Sequence, residues 1–322
     1  MLFSNLLPFS SLNFSKNFST NKSNFYTSNK SWLFTGLTDA EGYFTADINR
    51  SSTSKLGFAF GLRFGLLMHK RDYDLLCSFR EYLGNIGNVR LVTNKNFVTF
   101  NVTSISELKV VINHFDKFPL VTSKSLAFHT FKLIHNIISN KQHLTESGFM
   151  LICSYINILN KPLSSKKHDE ITNKFGNLLN INQPGYVLGK VNASWLIGFF
   201  VGEGSLTYSR RSTPPNSPTL FAEIGQSRKD LFVLEAIKDF LGYGVIHHEI
   251  QRDISKIRFS THSNLPDFVN FLQKYGLTGF KLKQFNVWIQ AYNLLRTMPK
   301  SPIRDAKLSS ILNELAEIRK FY

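Results

Sequence analysis

"LFTGLTDAEGYF", residues 33–44, is the stretch that decides the fold of this 322-residue chain. It is an apolar segment that ends in two acids, Asp39 and Glu41, followed at once by glycine. A second stretch, "LIGFFVGEGSL" (residues 196–206), has the same form and ends in Glu203 and glycine. A carboxylate at the C-terminal end of a helix faces the negative end of the helix dipole, which costs roughly 0.3–1 kcal/mol. We therefore expect a cation to offset the charge of these acids.

The two stretches belong to an internal repeat. "RDYDLLCSFREYLGNIGNV" (residues 71–89) has a counterpart in "KDLFVLEAIKDFLGYGVI" (229–246), and "FPLVTSKSLAFHTF" (118–131) has one in "YGLTGFKLKQFNVW" (275–288). The offsets are 162 from Glu41 to Glu203, 158 from Asp72 to Asp230 and 159 from Lys124 to Lys283. Three blocks in one order at nearly constant offset indicate two copies of one domain.

The repeat predicts four parts of the chain: a poorly ordered leader (1–30), a first unit (31–155), a polar linker (156–190) and a second unit (191–322). Hydrophobic periodicity gives each unit the order α-β-β-α-β-β-α, an α+β fold with antiparallel sheets. Ser31 and Ser194 are the predicted N-caps of the leading helices, and Asp72 and Asp230 open the second helix of each unit. An additional C-terminal helix, residues 306–320, shows no counterpart in the first copy.

Small residues recur on one face of each leading helix. Gly36 and Ala40 are four residues apart, as are Gly198 and Gly202. Such a face lets another backbone approach closely, so we expect the two helices to pack on each other. Their terminal acids, Glu41 and Glu203, would then lie side by side. Oxygen ligands of this kind suit Mg²⁺.

Asp39 does not belong to this pair. Its counterpart in the second copy is Val201, whereas Glu41 matches Glu203. A symmetric two-carboxylate site can use only the second acid, so Asp39 is predicted to be a local structural residue.

Composition narrows the class of partner. Lys plus Arg number 38 against 22 Asp plus Glu, a net charge of +16. This favours a polyanion, either nucleic acid or an anionic membrane surface. No apolar run approaches the length of a membrane span, so a soluble or peripheral protein is expected. The two cysteines, Cys77 and Cys153, have no partners at metal-ligand spacing and are predicted to be free thiols.

"FTGLTDAEG" and "LIGFFVGEG" resemble the two motifs of the single-chain LAGLIDADG homing endonucleases. The resemblance extends over about residues 31–298. It implies two αββαββα units whose motif helices form the interface and whose four-stranded sheets form a saddle on double-stranded DNA. It further implies a monomeric, Mg²⁺-dependent DNA endonuclease that cuts both strands of a long pseudo-palindromic site and leaves short 3′ overhangs. The motif's metal-binding acids fall on Glu41 and Glu203.

The resemblance also implies a glutamine at the end of the second strand and a lysine before the last helix of each unit. These side chains polarise waters in the site. Gln226 fits the glutamine in the second copy, with Lys281 and Lys283 both open as its lysine. The first copy has Met68 in place of the glutamine and Lys124 near the lysine position. Unequal rates of the two strand cuts are therefore expected.

Alternate strand residues are the candidate base readers, because one face of each sheet must meet the DNA. In the first copy they are Thr45, Asp47, Asn49, Arg63 and Arg90; in the second they are Thr207, Ser209, Arg211, Glu223 and His247.

Two other functions remain open. An RNA maturase that assists splicing of its own group I intron would use the same basic fold, with or without cleavage. A DNA-binding protein without catalysis is the third possibility, although the presence of both acids favours the nuclease. The richness in Phe, Asn, Lys and Ile fits an A/T-rich organellar gene, and a mitochondrial gene is favoured over a chloroplast one.

Overall fold

A computed structural model describes residues 23–159, 162–209, 218–260 and 263–320. The first unit comprises α1 (Ser23–Glu41), β1 (Gly42–Arg50), β2 (Phe58–His69), α2 (Tyr73–Tyr82), β3 (Asn88–Leu91), β4 (Phe97–Val102), α3 (Ile105–Lys117), α4 (Lys124–Ser139) and α5 (Glu146–Leu159). Helix α6 (Ser165–Phe175) follows. The second unit comprises α7 (Ala193–Glu203), β5 (Gly204–Ser209), β6 (Thr219–Ser227), α8 (Leu231–Leu241), β7 (Val245–Glu249), β8 (Ile254–Ser260), α9 (Leu265–Tyr275), α10 (Gly279–Thr297) and α11 (Pro302–Arg319). The predicted α+β class is confirmed.

Each unit contains one antiparallel four-stranded sheet, in the orders β1-β2-β4-β3 and β5-β6-β8-β7. The register is the same in both: Gly42 lies opposite Leu66, and Gly204 lies opposite Ile224. Alternation places Phe44 and similar apolar residues on the inner face, where they are almost fully buried. The opposite face carries the polar set predicted to meet DNA.

The two sheets are joined through α1 and α7, which pack in parallel at very short distance. A β-carbon added at Gly36 would lie 2.0 Å from the carbonyl oxygen of Trp195, and one added at Gly198 would lie 2.1 Å from that of Leu33. Near the C-terminal ends, one added at Gly202 would lie 2.4 Å from Cβ of Ala40. The predicted small-residue contact is therefore present, and it brings the ends of the two helices together.

Both predicted N-caps of the leading helices are wrong. Helix α1 starts at Ser23, eight residues earlier than expected, and the hydroxyl of Ser31 accepts a hydrogen bond from Tyr82. Helix α7 starts at Ala193, and its cap is Asn192, whose side chain accepts from the backbone N–H of Trp195. An asparagine two residues before the predicted cap supplies a capping oxygen as serine would.

The C-terminal helix does have a counterpart. Helix α5 follows α4 in the first unit as α11 follows α10 in the second. The expectation of an unmatched helix was wrong because α5 is strongly apolar whereas α11 is mostly polar, so their sequences do not resemble each other.

The segment expected to be a linker is partly structured. Helix α6 buries Ile171 completely and packs Phe175 on Phe149, with ring centroids 4.7 Å apart. Glu170 pairs with Arg50 of β1 at 2.7 Å. One apolar side chain per turn is enough to dock this short helix on the first unit. No helix in the described ranges has both the length and the apolar character to cross a bilayer.

Candidate active site between the motif helices

The two acids lie at the paired ends of α1 and α7. A β-carbon added at Gly202 would lie 3.3 Å from Oε1 of Glu41, which places that carboxylate against the end of the partner helix beside Glu203. Burial raises the pKa of Glu41, and the charge of Glu203 raises it further. Burial likewise raises the pKa of Glu203. The site thus holds two partly desolvated carboxylates that repel each other, an arrangement that a cation stabilises.

Each acid has a lysine nearby, the half-buried Lys124 and the buried Lys281. The Nζ of Lys124 donates to the carbonyl oxygens of Ala40 at 2.7 Å and Thr38 at 3.3 Å, at the end of α1. The Nζ of Lys281 donates to the carbonyl oxygen of Gly204 at 2.5 Å. Burial lowers the pKa of Lys124 and lowers that of Lys281 to about 8. The carbonyls at a helix end attract such a cation, which holds each ammonium group beside the acids.

The structure decides between the two lysines left open in the second copy. Lys281 is 4% exposed and reaches the site, whereas Lys283 is exposed on another side of α10. Two residues turn a helix by about 200°, so the two side chains cannot both face the acids. Lys281 is therefore the structural counterpart of Lys124, at an offset of 157, and the sequence match of Lys124 to Lys283 was wrong by two residues.

Gln226 lies where it was expected. Its side chain hydrogen-bonds Glu203, which partly opposes the rise in the pKa of that acid. Gln226 stands two residues beyond the residue opposite Gly204, and Met68 stands at the same distance beyond the residue opposite Gly42. Met68 is buried. The asymmetry between the two halves of the site is thus present in the structure.

Asp39 is a structural residue, as predicted, but it is not a local one, because its partners lie 82 to 156 residues away in the chain. Its carboxylate accepts from the N–H of Val121 at 2.8 Å, from the N–H and hydroxyl of Thr122 at 3.1 and 2.6 Å, and from Nε1 of Trp195 at 2.7 Å. Burial nevertheless raises its pKa. Asp39 therefore fixes the turn before Lys124 and ties it to the second motif helix.

Residues 34–135 and 196–292 match the LAGLIDADG endonuclease family. This chain belongs to that family. It is 29% identical over 299 residues to a probable intron-encoded endonuclease 3 of Neurospora crassa, covering 90% of this chain and 54% of that protein. It is 25% identical over 289 residues to a probable intron-encoded endonuclease 2 of the same fungus, covering 87% and 63%. The LAGLIDADG chain thus spans only part of the length of these relatives.

Solved structures share the fold. The I-LtrWI LAGLIDADG homing endonuclease, bound to its target DNA, superposes with a TM-score of 0.83 at 25% identity, over 89% of this chain and 98% of that one. I-SmaMI, bound to uncleaved DNA with calcium ions present, superposes with a TM-score of 0.80 at 23% identity, over 88% and 97%.

Two acids of this LAGLIDADG chain stand at the starts of α2 and α8, as predicted, and each also contacts the opposite unit. Asp72 and Asp230 occupy the N-cap positions of α2 and α8 but make no side-chain cap bond to those helices. Instead Asp72 accepts from the N–H of Phe280 at 2.7 Å, and Asp230 accepts from the N–H and hydroxyl of Ser123 at 2.8 and 3.0 Å. The occurrence of an acid at the same place in both repeat blocks indicated that these residues matter. Only the structure shows that each one binds the start of a helix in the opposite unit.

The first sheet presents its predicted readers outward. Asp47, Asn49, Arg63 and Arg90 are exposed, and Thr45 is half-buried. Thr45 lies opposite Arg63 in the ladder, so they share one face.

The second sheet differs from the prediction in part. Ser209 and His247 are exposed, and Arg211 lies outside the described residues. Thr207 is buried, and its hydroxyl accepts from Arg319 at 2.7 Å. The carboxylate of Glu223 is paired with Arg258 at 2.9 Å. Thr207 and Glu223 are thus engaged within the protein, because α11 and β8 supply partners that a single strand does not reveal.

The donor set at the helix ends is small and made of oxygen. Within the described ranges, no three or more His, Cys, Asp or Glu side chains converge as a metal site. Two glutamates fit a hard divalent cation better than zinc, which prefers nitrogen and sulfur ligands.

Proposed function

We propose that this chain is a site-specific homing endonuclease that hydrolyses both strands of a long pseudo-palindromic DNA site. The observation that carries the proposal is the pair Glu41 and Glu203, one acid from each unit, held together at the ends of closely packed helices. Structural stability does not require two repelling carboxylates at this place. The relatives named as intron-encoded endonucleases support the same activity.

A divalent cation, Mg²⁺ in the cell, is the proposed cofactor, and Glu41 and Glu203 are the residues that would hold it. Such an ion supplies a more acidic bound water and stabilisation of the leaving oxygen in phosphodiester hydrolysis. The fit rests on the raised pKa of both acids, since a nearby cation would relieve the burial and repulsion that raise them.

The chain's own side chains position the reacting groups. Lys124 and Lys281 have ammonium groups fixed on backbone carbonyls beside the acids, where they would offset negative charge that builds up on the scissile phosphates. Gln226 orients the carboxylate of Glu203 by its hydrogen bond. Because Met68 cannot do the same for Glu41, the two strands are expected to be cut at different rates.

The exposed faces of the sheets are the proposed DNA contacts. Arg63 and Arg90 can pair with guanine, and Asn49 with adenine, in the major groove. A net charge of +16 supplies the attraction to phosphate. Glu223, paired with Arg258, is proposed to orient that arginine.

A mitochondrial intron is the proposed genetic location. Relatives include a 50.9 kDa protein in ND4 intron 1 of Podospora anserina, 34% identical over 119 residues, and a probable intron-encoded endonuclease Cox1-I1b of Schizosaccharomyces pombe, 26% identical over 262 residues. The richness of the chain in Phe, Asn, Lys and Ile, which an A/T-rich gene favours, agrees with a mitochondrial location of the gene.

A cleavage assay on the intronless exon junction of the host gene tests the proposal. Wild type is expected to cut both strands with Mg²⁺ and not with EDTA, leaving 3′ overhangs. Splicing of the intron RNA is measured in parallel with the same preparation. Stimulated splicing without DNA cutting would refute the nuclease and establish the maturase instead.

A further inference from the structure

Two buried acids next to the candidate site each accept hydrogen bonds from the opposite unit. Asp230 of the second unit receives the backbone N–H and the hydroxyl of Ser123, the residue before α4. Asp72 of the first unit receives the N–H of Phe280 in the first turn of α10. The residue after Ser123 is Lys124, and the residue after Phe280 is Lys281. Each acid thus holds the start of the helix that carries the other unit's site lysine.

We propose that Asp72 and Asp230 are positioning residues that set the lysines of the opposite unit, so that each strand-cutting pocket is assembled from both units. This inference rests on the proposed nuclease function.

The pocket around Lys124 shows this mixed composition. A cavity of about 500 Å³ is lined by Ser123 and Lys124 from the first unit and by Glu203, Gln226 and Asp230 from the second. Without Asp230, the N–H and hydroxyl of Ser123, the N-cap residue of α4, would lose their acceptor, and the start of the helix would no longer be held in place.

The contact at Lys281 is equally close. A β-carbon at Gly279 would lie 2.5 Å from Oδ1 of Asp72, and Gly279 has φ +61°. Glycine therefore permits both the turn and the approach of the carboxylate. The guanidinium of Arg71 lies 3.7 Å over the ring of Phe280, on the same side of the contact. Asp72 is 7% exposed and Asp230 is 5% exposed, so neither is available as a surface DNA contact.

Strand-resolved nicking tests the proposal. A duplex spanning the intronless exon junction, labelled separately on each strand, is cut with Mg²⁺ under single-turnover conditions. Lys124→Met and Lys281→Met first establish which strand each lysine serves. Asp230→Ala is expected to slow the Lys124 strand by about 10–100-fold, and Asp72→Ala to slow the Lys281 strand similarly, since misplacement by about 1 Å has effects of this size. In each case the other strand should stay within about threefold.

Conservative variants separate geometry from charge. An asparagine at either position still offers an oxygen to the backbone N–H, so Asp72→Asn and Asp230→Asn are expected to restore most of the rate. Ser123→Ala removes only the hydroxyl contact to Asp230 and should slow the Lys124 strand by a few-fold. It keeps the proposal testable if Asp230→Ala does not fold. Asp74→Ala on α2 and Asp239→Ala on α8, both exposed, are the matched controls and should cut both strands normally.

Equal slowing of both strands by Asp230→Ala would overturn the proposal, as would slowing of the strand assigned to the other lysine. Asparagine variants as slow as the alanine variants would also overturn it, because charge rather than position would then be required. A wild-type protein that cuts neither strand would instead refute the proposed function.

Discussion

The contact between α1 and α7 makes a sharp prediction for Gly198→Ala. The added methyl carbon would lie 2.1 Å from the carbonyl oxygen of Leu33 and 3.0 Å from its Cα. These are backbone atoms of a buried helix, so no side-chain rotation can relieve the overlap, and the helices must separate by about 1 Å at this point. Overpacking of this kind costs about 3 kcal/mol at the upper end of its usual range.

Alanine is also a better helix former than glycine, by about 1 kcal/mol. The net loss in free energy of unfolding is therefore expected to be about 2 kcal/mol, measured by urea denaturation. The separation also shifts Glu41 relative to Glu203, so the DNA cleavage rate should fall about 100-fold. Gly36→Ala, whose added methyl carbon would lie 2.0 Å from the carbonyl oxygen of Trp195, should have similar effects. The double variant should lose less free energy of unfolding than the sum of the two single losses, because both changes push the same two helices apart.

Gly185→Ala is the matched control, because a β-carbon at this exposed position meets nothing within 4 Å. It should unfold and cut like wild type. A Gly198→Ala protein with unchanged stability and unchanged cleavage would refute the close packing of the motif helices.

Three further predictions concern stability. Burial lowers the pKa of His114 to about 3, so the native state keeps it neutral while the unfolded state protonates it below its ordinary value of 6.5. The free energy of unfolding should therefore fall as pH drops through this window. Between pH 7 and pH 4.5, wild type should lose about 2–3 kcal/mol more of this free energy than His114→Gln. Equal losses in the two proteins, measured by denaturation at both pH values, would contradict this. Asp39→Asn places an amide N–H₂ among four donors, and denaturation should show a loss of about 2–4 kcal/mol; a loss below about 1 kcal/mol would be inconsistent with the buried contacts. Ile171→Ala empties a buried position under α6 and should cost about 2–4 kcal/mol, whereas an unchanged unfolding midpoint would mean that α6 does not dock.

Much of the architecture could be predicted because the chain contains two copies of one domain, which can be compared with each other. The match of Glu41 to Glu203 located both motif helices and excluded Asp39, whose counterpart is Val201. The small residues that include Gly36 and Gly198 predicted the interface, because a spacing of four residues puts the small residues of each helix on one face. Strand alternation separated the inner and outer faces of the sheets.

The remaining features depend on contacts that neither copy shows alone. Residues 281 and 283 are both lysines, so the sequence does not distinguish them. Only the rotation of α10 about its axis decides which one reaches the acids. Asp72 and Asp230 were expected to open their own helices, which they do, but the sequence did not show that each one also contacts the opposite unit. Helix α6 escaped prediction because Ile171 and Phe175 are its only large apolar side chains, and its otherwise polar composition is typical of a linker.

The central claim is that Glu41 and Glu203 together carry the cleavage of DNA. The most direct test is the single-turnover cleavage rate of Glu41→Gln and Glu203→Gln on the intronless junction with Mg²⁺, beside DNA binding measured with Ca²⁺. Glutamine keeps the shape of the side chain but removes the charge that would hold the cation. We predict a loss of at least about 1,000-fold, or ~4 kcal/mol of transition-state stabilisation, with DNA binding retained. Cleavage of both strands at the wild-type rate by either variant would contradict the account.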